Sequence, residues 1–247
     1  MSTHTIYDKV TEVIQACPDT PSFKSHLDIG SGRGELIGIL QDKFGFESKA
    51  VDYTDEMMQR EGQTVDIVDL NESGLPYDDA TFDVVTATEV IEHLEHGRKL
   101  LREISRVTKP GGLVVITTPN ILNLNSRLRF LWFGFWNLFG PLPVKHSALY
   151  STGGHINPIS VFYISHGLMD ANFEGIESTV DKYQRSAIPK LILLWPLIKL
   201  FSLRIWSREV KRFKTIDEDN APLVRVMNTV PLLLGRTVIV SARKPKQ

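Results

Sequence analysis

A chain of 247 residues, 42% hydrophobic and 23% charged, is long enough to bury the core of one α/β domain, and its formal net charge of −1 gives no overall pull toward nucleic acid. Cys17 is the sole cysteine, which excludes an intramolecular disulfide and suits a reducing compartment. The first ten residues are polar and carry Asp8, so no secretory leader is expected and the cytoplasm is the expected location.

Val10, Val13 and Ile14 form an apolar stripe within Tyr7 to Ala16, predicting a helix that ends before Cys17-Pro18 and covers one edge of the site formed by the next stretch. That stretch is Leu27-Asp28-Ile29-Gly30-Ser31-Gly32-Arg33-Gly34-Glu35, a short buried strand breaking into a glycine turn that opens a helix. Glycines at alternate positions allow φ > 0 and close approach of a ligand. The spacing is G-x-G-x-G, not the G-x-G-x-x-G of dinucleotide sites, and Glu35 in the first helical turn would repel a diphosphate. With Asp28 just before the turn, the acidic pair favours a cation with no phosphate, such as the sulfonium of S-adenosylmethionine.

Leu36, Ile37, Leu40 and Phe44 continue the helix to a stop at Gly45, and a strand is predicted from Glu47 to Asp52. Asp52 lies 18 residues beyond Gly34, close to the roughly 20-residue offset at which an acidic residue accepts ribose hydroxyls. Tyr53 follows as either an adenine-facing ring or a surface aromatic. Further strands are predicted at Val65 to Leu70, Phe82 to Ala87 and Leu113 to Thr118, with a helix at Arg98 to Val107 ended by Lys109-Pro110-Gly111-Gly112. Strands alternating with helices predict a doubly wound, parallel sheet. Beyond Asn120 the pattern is an aromatic stretch to Phe139, a helix within Gly153 to Phe173, strands at roughly Gly175 to Tyr183 and Thr237 to Ala242, and an insertion at Ile188 to Phe213.

His26 to Leu36 resembles motif I of the class I, Rossmann-like S-adenosylmethionine-dependent methyltransferases, and the likeness continues to Asn120. The resemblance implies a mostly parallel seven-stranded sheet with an antiparallel last strand. The whole chain, residues 1–247, would be one methyltransferase domain carrying helical and aromatic insertions at about 121–152 and 188–232. It implies S-adenosylmethionine as cofactor and S-adenosylhomocysteine as product, held by Asp28, Gly30, Ser31, Gly32, Gly34, Asp52, Tyr53, Asp69, Leu70 and Glu89. In that family the residue matching Asp69 accepts from the adenine amino group, and the apolar neighbour covers the ring.

Glu89-Val90-Ile91-Glu92-His93 follows the fourth strand, and on a helix the i, i+3 and i+4 positions would bring Glu89, Glu92 and His93 together at the strand's C-terminal mouth. Three roles stay open: positioning the cofactor, general-base catalysis by His93 or His155 with Glu92 beside them, or a divalent ion held with His155 or His146. The E-x-x-E-H arrangement resembles that of methyltransferases of ubiquinone biosynthesis and of small-RNA 3′ ends; no metal ion is assigned.

Phe130 to Trp136 and Leu191 to Trp206 are dense in Leu, Phe and Trp, the latter flanked by Lys190, Lys199, Arg204, Arg208, Lys211 and Arg212. Lys199 and Arg204 interrupt the run short of the roughly 20 apolar residues of a bilayer span. A pocket cap, a homodimer face, or contact with the inner face of the membrane are the open alternatives. The expected activity is methyl transfer to oxygen of a small or lipid-linked acceptor, as in the bacterial polysaccharide and lipid-linked sugar enzymes these segments resemble. Its rivals are an NAD(P)-dependent oxidoreductase, disfavoured by the glycine spacing and Glu35, and a non-catalytic methyltransferase-like subunit, disfavoured by the intact glycines, Asp52 and Asp69. Nucleic acid is disfavoured as a substrate.

Overall fold

The computed structural model describes residues 3–142 and 154–246. Strands β1 (Ser25–Ile29), β2 (Glu47–Asp52), β3 (Val65–Ile67), β4 (Phe82–Thr88), β5 (Thr108–Pro119), β6 (Glu174–Val180) and β7 (Thr237–Arg243) form one sheet in the order β3-β2-β1-β4-β5-β7-β6. β1 to β5 pair in parallel, and β7 runs antiparallel to both β5 and β6. This is the mostly parallel seven-stranded sheet with an antiparallel last strand. Because β6 is antiparallel to β7, it points the same way as β5. The C-terminal ends of β1, β2, β4, β5 and β6 therefore share one edge.

β1, β4 and β5 are buried at nearly every position because helices cover both faces of the sheet. Side chains alternate between two cores. On one face Val85, Val114 and Ile116 pack with Leu100, Leu101 and Ile104 of α3 (Gly97–Val107) and with Ile164 and Leu168 of α5 (Val161–Asp170). On the other, Val84, Val115 and Ile239 pack with Ile6, Val10 and Ile14 of α1 (His4–Ala16) and with Leu36 and Leu40 of α2 (Glu35–Phe44). Gly45, with φ 70° and its N–H on the Gln41 carbonyl at 2.8 Å, ends α2 as expected.

Several boundaries differ from the expectation. β3 ends at Ile67, not Leu70, because it pairs only with β2 and because the Asp69 carbonyl then accepts from Glu72 and Ser73 in a turn. β5 begins at Thr108, ahead of Leu113, because the glycine pair makes an irregularity within the strand instead of a stop before it. A Cβ on Gly112 would lie 2.9 Å from the Asp83 carbonyl. β6 spans Glu174–Val180, somewhat before the predicted strand.

Beyond β5, Asn123 caps α4 (Leu124–Phe133) by accepting from the Ser126 N–H at 2.9 Å. Between β6 and β7 lie α6 (Ile188–Arg208), a π-helical turn over Glu209–Phe213, α7 (Ala221–Val226) and α8 (Val230–Leu234). Arg127 ties α4 to this insertion, donating to the Met227 carbonyl at 2.9 Å and to Asn228 Oδ1 at 2.7 Å.

The N-terminal end of the sheet is fastened by one carboxylate. Asp83 accepts from the Lys24 and Ser25 N–H groups at 2.9 Å each, from Ser25 Oγ at 2.8 Å and from Lys109 Nζ at 2.9 Å. Burial pushes its pKa up, but these donors together outweigh burial and hold it below the ordinary carboxylate value. The depressed group contributes stability above the unfolded pKa of about 3.9, and that stability is lost as pH falls through the still lower folded value. Asp83→Ala should cost roughly 2–3 kcal/mol in urea denaturation at pH 7 and much less near pH 3. An equal loss at both values would show that the charge is not what matters.

Candidate active site

The turn after β1 is built on three left-handed glycines, Gly30, Gly32 and Gly34, at φ 70°, 50° and 76°. At Gly30 a Cβ would sit 2.3 Å from Val90 Cγ2, so the turn is packed from below. At Gly32 a Cβ would meet nothing within 4 Å, so the turn is open above. The Gly30 N–H donates to the Val51 carbonyl at 2.8 Å and the Gly32 N–H to Asp52 Oδ2 at 2.8 Å, which fixes the turn against the end of β2.

A cavity of about 520 Å³ opens at this edge. Gly30, Ser31, Gly32, Asp52, Tyr53, Asp69, Leu70, Glu89, His93 and His155 all line it. Tyr7 of α1 also lines it, so the first helix does cover an edge of the site. Gly34 stands just behind, where a Cβ would fall 2.7 Å from Met58 Sδ. Tyr53 is 44% exposed at the rim, its N–H on Asp52 Oδ1 at 2.7 Å. Asp69 receives the Asn71 N–H at 2.9 Å, which orients its carboxylate within the turn after β3.

Two expectations need correction. Asp28 does not line the cavity: it is buried in β1, with Oδ1 accepting from Thr86 Oγ1 at 2.7 Å. Burial raises its pKa to about 7, so it is a poor fixed anion for a sulfonium. Nor do Glu89, Glu92 and His93 share a helix face. Glu89 is left-handed at φ 56°, and only Ile91–His93 form a short 3₁₀ turn. Glu89 and His93 line the cavity, whereas Glu92 is fully buried behind them.

Behind the wall, Glu92 Oε2 accepts from Thr118 Oγ1 at 3.0 Å. Its backbone carbonyl accepts from the Ile156 and Asn157 N–H groups at 3.0 and 2.9 Å, bringing the segment that carries His155 onto the 3₁₀ turn. The His93 and His155 rings then meet edge to face, centroids 4.7 Å apart. His93 Nδ1 lies 2.9 Å from the Gly154 carbonyl; a carbonyl only accepts, so Nδ1 carries the proton and the neutral ring keeps its lone pair on Nε2. Burial lowers the pKa of His93, and burial with the neighbouring His93 lowers that of His155 to about 4. Burial raises Glu89 and Glu92, the latter further through Glu89. Ligand atoms of Glu92, His93 and His155 lie within 4.8 Å of one another, a set able to hold a divalent ion. His146 lies outside the described residues.

The lining fits S-adenosylmethionine. Ser31 Oγ, Glu89 Oε1 and His155 Nδ1 are buried with no protein partner, as polar atoms waiting for a ligand are. Glu35, Asp52 and Asp69 line the cavity against one guanidinium, Arg33, which suits a cationic ligand and not a diphosphate. Sequence analysis missed Thr54, Met57, Val68, Thr88, Val90 and Leu94 on the wall. Of these, Thr88 and Val90 were signalled by their place beside the end of β4.

Sheet order and site together define a class I methyltransferase. Residues 3–178 match the family model described as "Methyltransferase domain", and the chain belongs to that family. A sarcosine/dimethylglycine N-methyltransferase of Halorhodospira halochloris is 30% identical over 102 residues, covering 38% of this chain and 37% of that protein. A demethylmenaquinone methyltransferase of Bacillus licheniformis is 30% identical over 145 residues, covering 54% and 62%. The chain thus spans less than two thirds of the length of these relatives. Among solved structures, a SAM-dependent methyltransferase from Archaeoglobus fulgidus shares the fold with a TM-score of 0.61 at 20% identity, covering 98% of this chain and 95% of that one. Phosphoethanolamine N-methyltransferase 2 of Haemonchus contortus, in complex with S-adenosyl-L-methionine, shares it with a TM-score of 0.53 at 18% identity, covering 95% and 53%. S-adenosylmethionine is the cofactor.

Asp52→Ala removes the acceptor that fixes Gly32 and one candidate partner of the ribose, at roughly 1.5–3 kcal/mol per charged hydrogen bond. Calorimetric titration with S-adenosylhomocysteine should show at least about a tenfold weaker affinity. An unchanged constant would remove Asp52 from the binding site.

Proposed function

We propose that the enzyme methylates a hydroxyl oxygen on a small or lipid-linked acceptor, with His93 as the base. The observation that carries this is the neutral imidazole pair on the cavity wall, with His93 Nδ1–H spent on Gly154 and Nε2 left as an acceptor. Bound S-adenosylmethionine supplies an electrophilic methyl with a good leaving group, so alignment and exclusion of water are the protein's main tasks. A hydroxyl must also lose its proton as the new bond forms, and an unprotonated imidazole within reach can take it. Glu92 supports this by staying protonated: a carboxylate there would stabilise the imidazolium and hold the base in its spent form. The apolar surfaces of α4 and α6 are what favour a lipid-linked acceptor.

The relatives' names include N- and C-methyltransferases, which makes nitrogen and carbon the rival acceptor atoms. Incubating soluble and membrane extracts with S-adenosylmethionine labelled with ¹³C in the methyl group separates the three, since the carbon shift of the new methyl reports the atom it joined. An N-methyl or C-methyl product overturns the oxygen assignment. His93→Gln should lower kcat by about 10²-fold or more with the S-adenosylhomocysteine affinity unchanged. If exhaustive chelation of the wild type produces the same loss, His93 acts as a ligand of an ion and not as the base.

The pH profile has a definite sign. A base whose pKa lies below the ordinary histidine value of about 6.5 loses its proton before neutral pH, so the acid limb of kcat/KM that His93 sets should have its midpoint below about pH 6.5. A profile still rising through pH 7 would point to a group with an unshifted or raised pKa.

A further inference from the structure

We propose that the outer face of α6 docks the enzyme onto an anionic lipid bilayer, with the helix lying in the interface. The helix has 21 residues and none is buried. Leu191, Trp195, Ile198, Ser202 and Trp206 recur every three to four residues as a half-buried stripe, and Leu191, Leu194, Trp195 and Ile198 pack against Leu124, Leu233 and Leu234. The opposite side should be polar if water were its only neighbour. It carries Ile192, Leu193, Leu200 and Leu203 at 73%, 76%, 60% and 71% exposure, with Phe201 and Ile205 beside them.

The flank supplies the charge complementarity. Residues 188–219 hold seven Lys or Arg against four acidic residues, Glu209, Asp217, Glu218 and Asp219, with the basic groups concentrated on the helix and its end, in a chain whose net charge is −1. Arg204, Arg208, Lys211, Arg212 and Lys214 are exposed around the end of the helix, and Lys199 Nζ lies 4.6 Å from the Trp195 ring centroid. Leu, Ile and Phe below a basic fringe suit the headgroup boundary of a membrane bearing anionic lipid. A second copy docked face to face would bring these like charges together, which disfavours a dimer through this surface.

Length and composition would let the stretch Arg185–Phe213 cross a membrane, but its connections forbid a single crossing. The Gln184 N–H donates to the Leu234 carbonyl at 2.8 Å and the Arg236 N–H to the Lys182 carbonyl at 3.1 Å, so the chain leaves and re-enters the fold at one point. Among the described residues no second helix is long and apolar enough to return. The returning segment lies along α6 instead, with Asn228 Nδ2 donating to Ser202 Oγ at 2.8 Å and the Arg225 guanidinium 5.6 Å from the Trp206 ring. The helix also springs from the C-terminal end of β6, at the sheet edge where the cofactor cavity opens. A lipid-linked acceptor would meet the site from that side. The docking itself does not rest on which atom is methylated.

Trp195 and Trp206 face inward, so substituting them would disturb packing, and the outward residues are the ones to change. The full chain is floated with vesicles of phosphatidylcholine alone and of phosphatidylcholine with phosphatidylglycerol. Binding is expected to the anionic vesicles, weakening severalfold from about 0.1 M to 0.5 M salt. Leu193→Ser with Leu200→Ser and Leu203→Ser should abolish flotation, and Arg204→Glu with Arg208→Glu and Lys211→Glu should do the same, each with circular dichroism and S-adenosylhomocysteine affinity unchanged. No flotation with either vesicle overturns the proposal. So does equal, salt-insensitive binding to both, or a dimer by light scattering that the Leu→Ser variant converts to monomer.

Discussion

The amide of Gly32 on the carboxylate of Asp52 is the contact on which the rest of the site depends. It can form only because Ile29 and Val51 are paired in register, so that β1 and β2 end side by side and both Gly30 and Ser31 donate to the Val51 carbonyl. The turn so held leaves no room for a Cβ on Gly30, and Val90 occupies that space. Val90 in turn sits between left-handed Glu89 and the 3₁₀ turn that carries His93. Glycine turn and imidazole pair are therefore one packed unit, although some 60 residues separate them in the chain. A shift of the turn on binding cofactor would be felt at His93 through Val90.

Ionisable groups within the sheet behind this site have been switched off by burial. His26 is bridged from Ser48 to Thr86 at 2.9 and 2.8 Å, Thr86 reaches Asp28, and desolvation lowers the His26 pKa to about 3 while raising that of Asp28. Glu89 and Glu92 are raised for the same reason. Neutral hydrogen-bonded pairs stitch β1, β2 and β4 together without the desolvation cost of buried ions. Asp52 and Asp69, less buried than these, line the cavity.

How much could be read from residues alone follows from how local each feature is. β2 was legible to the residue, and the glycine turn and Asp52 fell where spacing put them, because backbone conformation and strand length are set by neighbours in sequence, whereas Asp69 was named only through the family resemblance. Asp28 was misread because its partner is Thr86, 58 residues away and on another strand. The Glu89 to His93 run was placed on a regular helix because nothing in a Glu announces positive φ; what forces it is Thr117, whose carbonyl and hydroxyl both take the Glu89 N–H at 3.1 Å. His155 could be named but not placed, since the Ile156 and Asn157 amides that bring it to His93 find their acceptor in Glu92. α6 runs on through Pro196, where a proline ordinarily ends a helix.

Why the additional helices stand where they do is a matter of strand direction. A crossover between parallel strands must pass over a sheet face, and both faces here are already covered by α1, α2, α3 and α5. β6 and β7 are antiparallel neighbours, so their connection has no face to cross and can be lengthened without disturbing the sheet. The ladder between them is extended past its end by the Asp181 N–H on the Thr237 carbonyl at 3.1 Å, the Thr237 N–H on Asp181 Oδ1 at 2.8 Å and the Tyr183–Gly235 bridge, closing the neck of the insertion. Asn120, at the end of β5, grips the far side of that neck through the Leu232 and Gly235 carbonyls at 2.8 and 3.0 Å. An apolar helix hung on such a neck can present its outer face while the sheet holds the cofactor cavity fixed at the same edge. The antiparallel pair is thus a place in this fold where a helical surface can be added without altering the cofactor cavity.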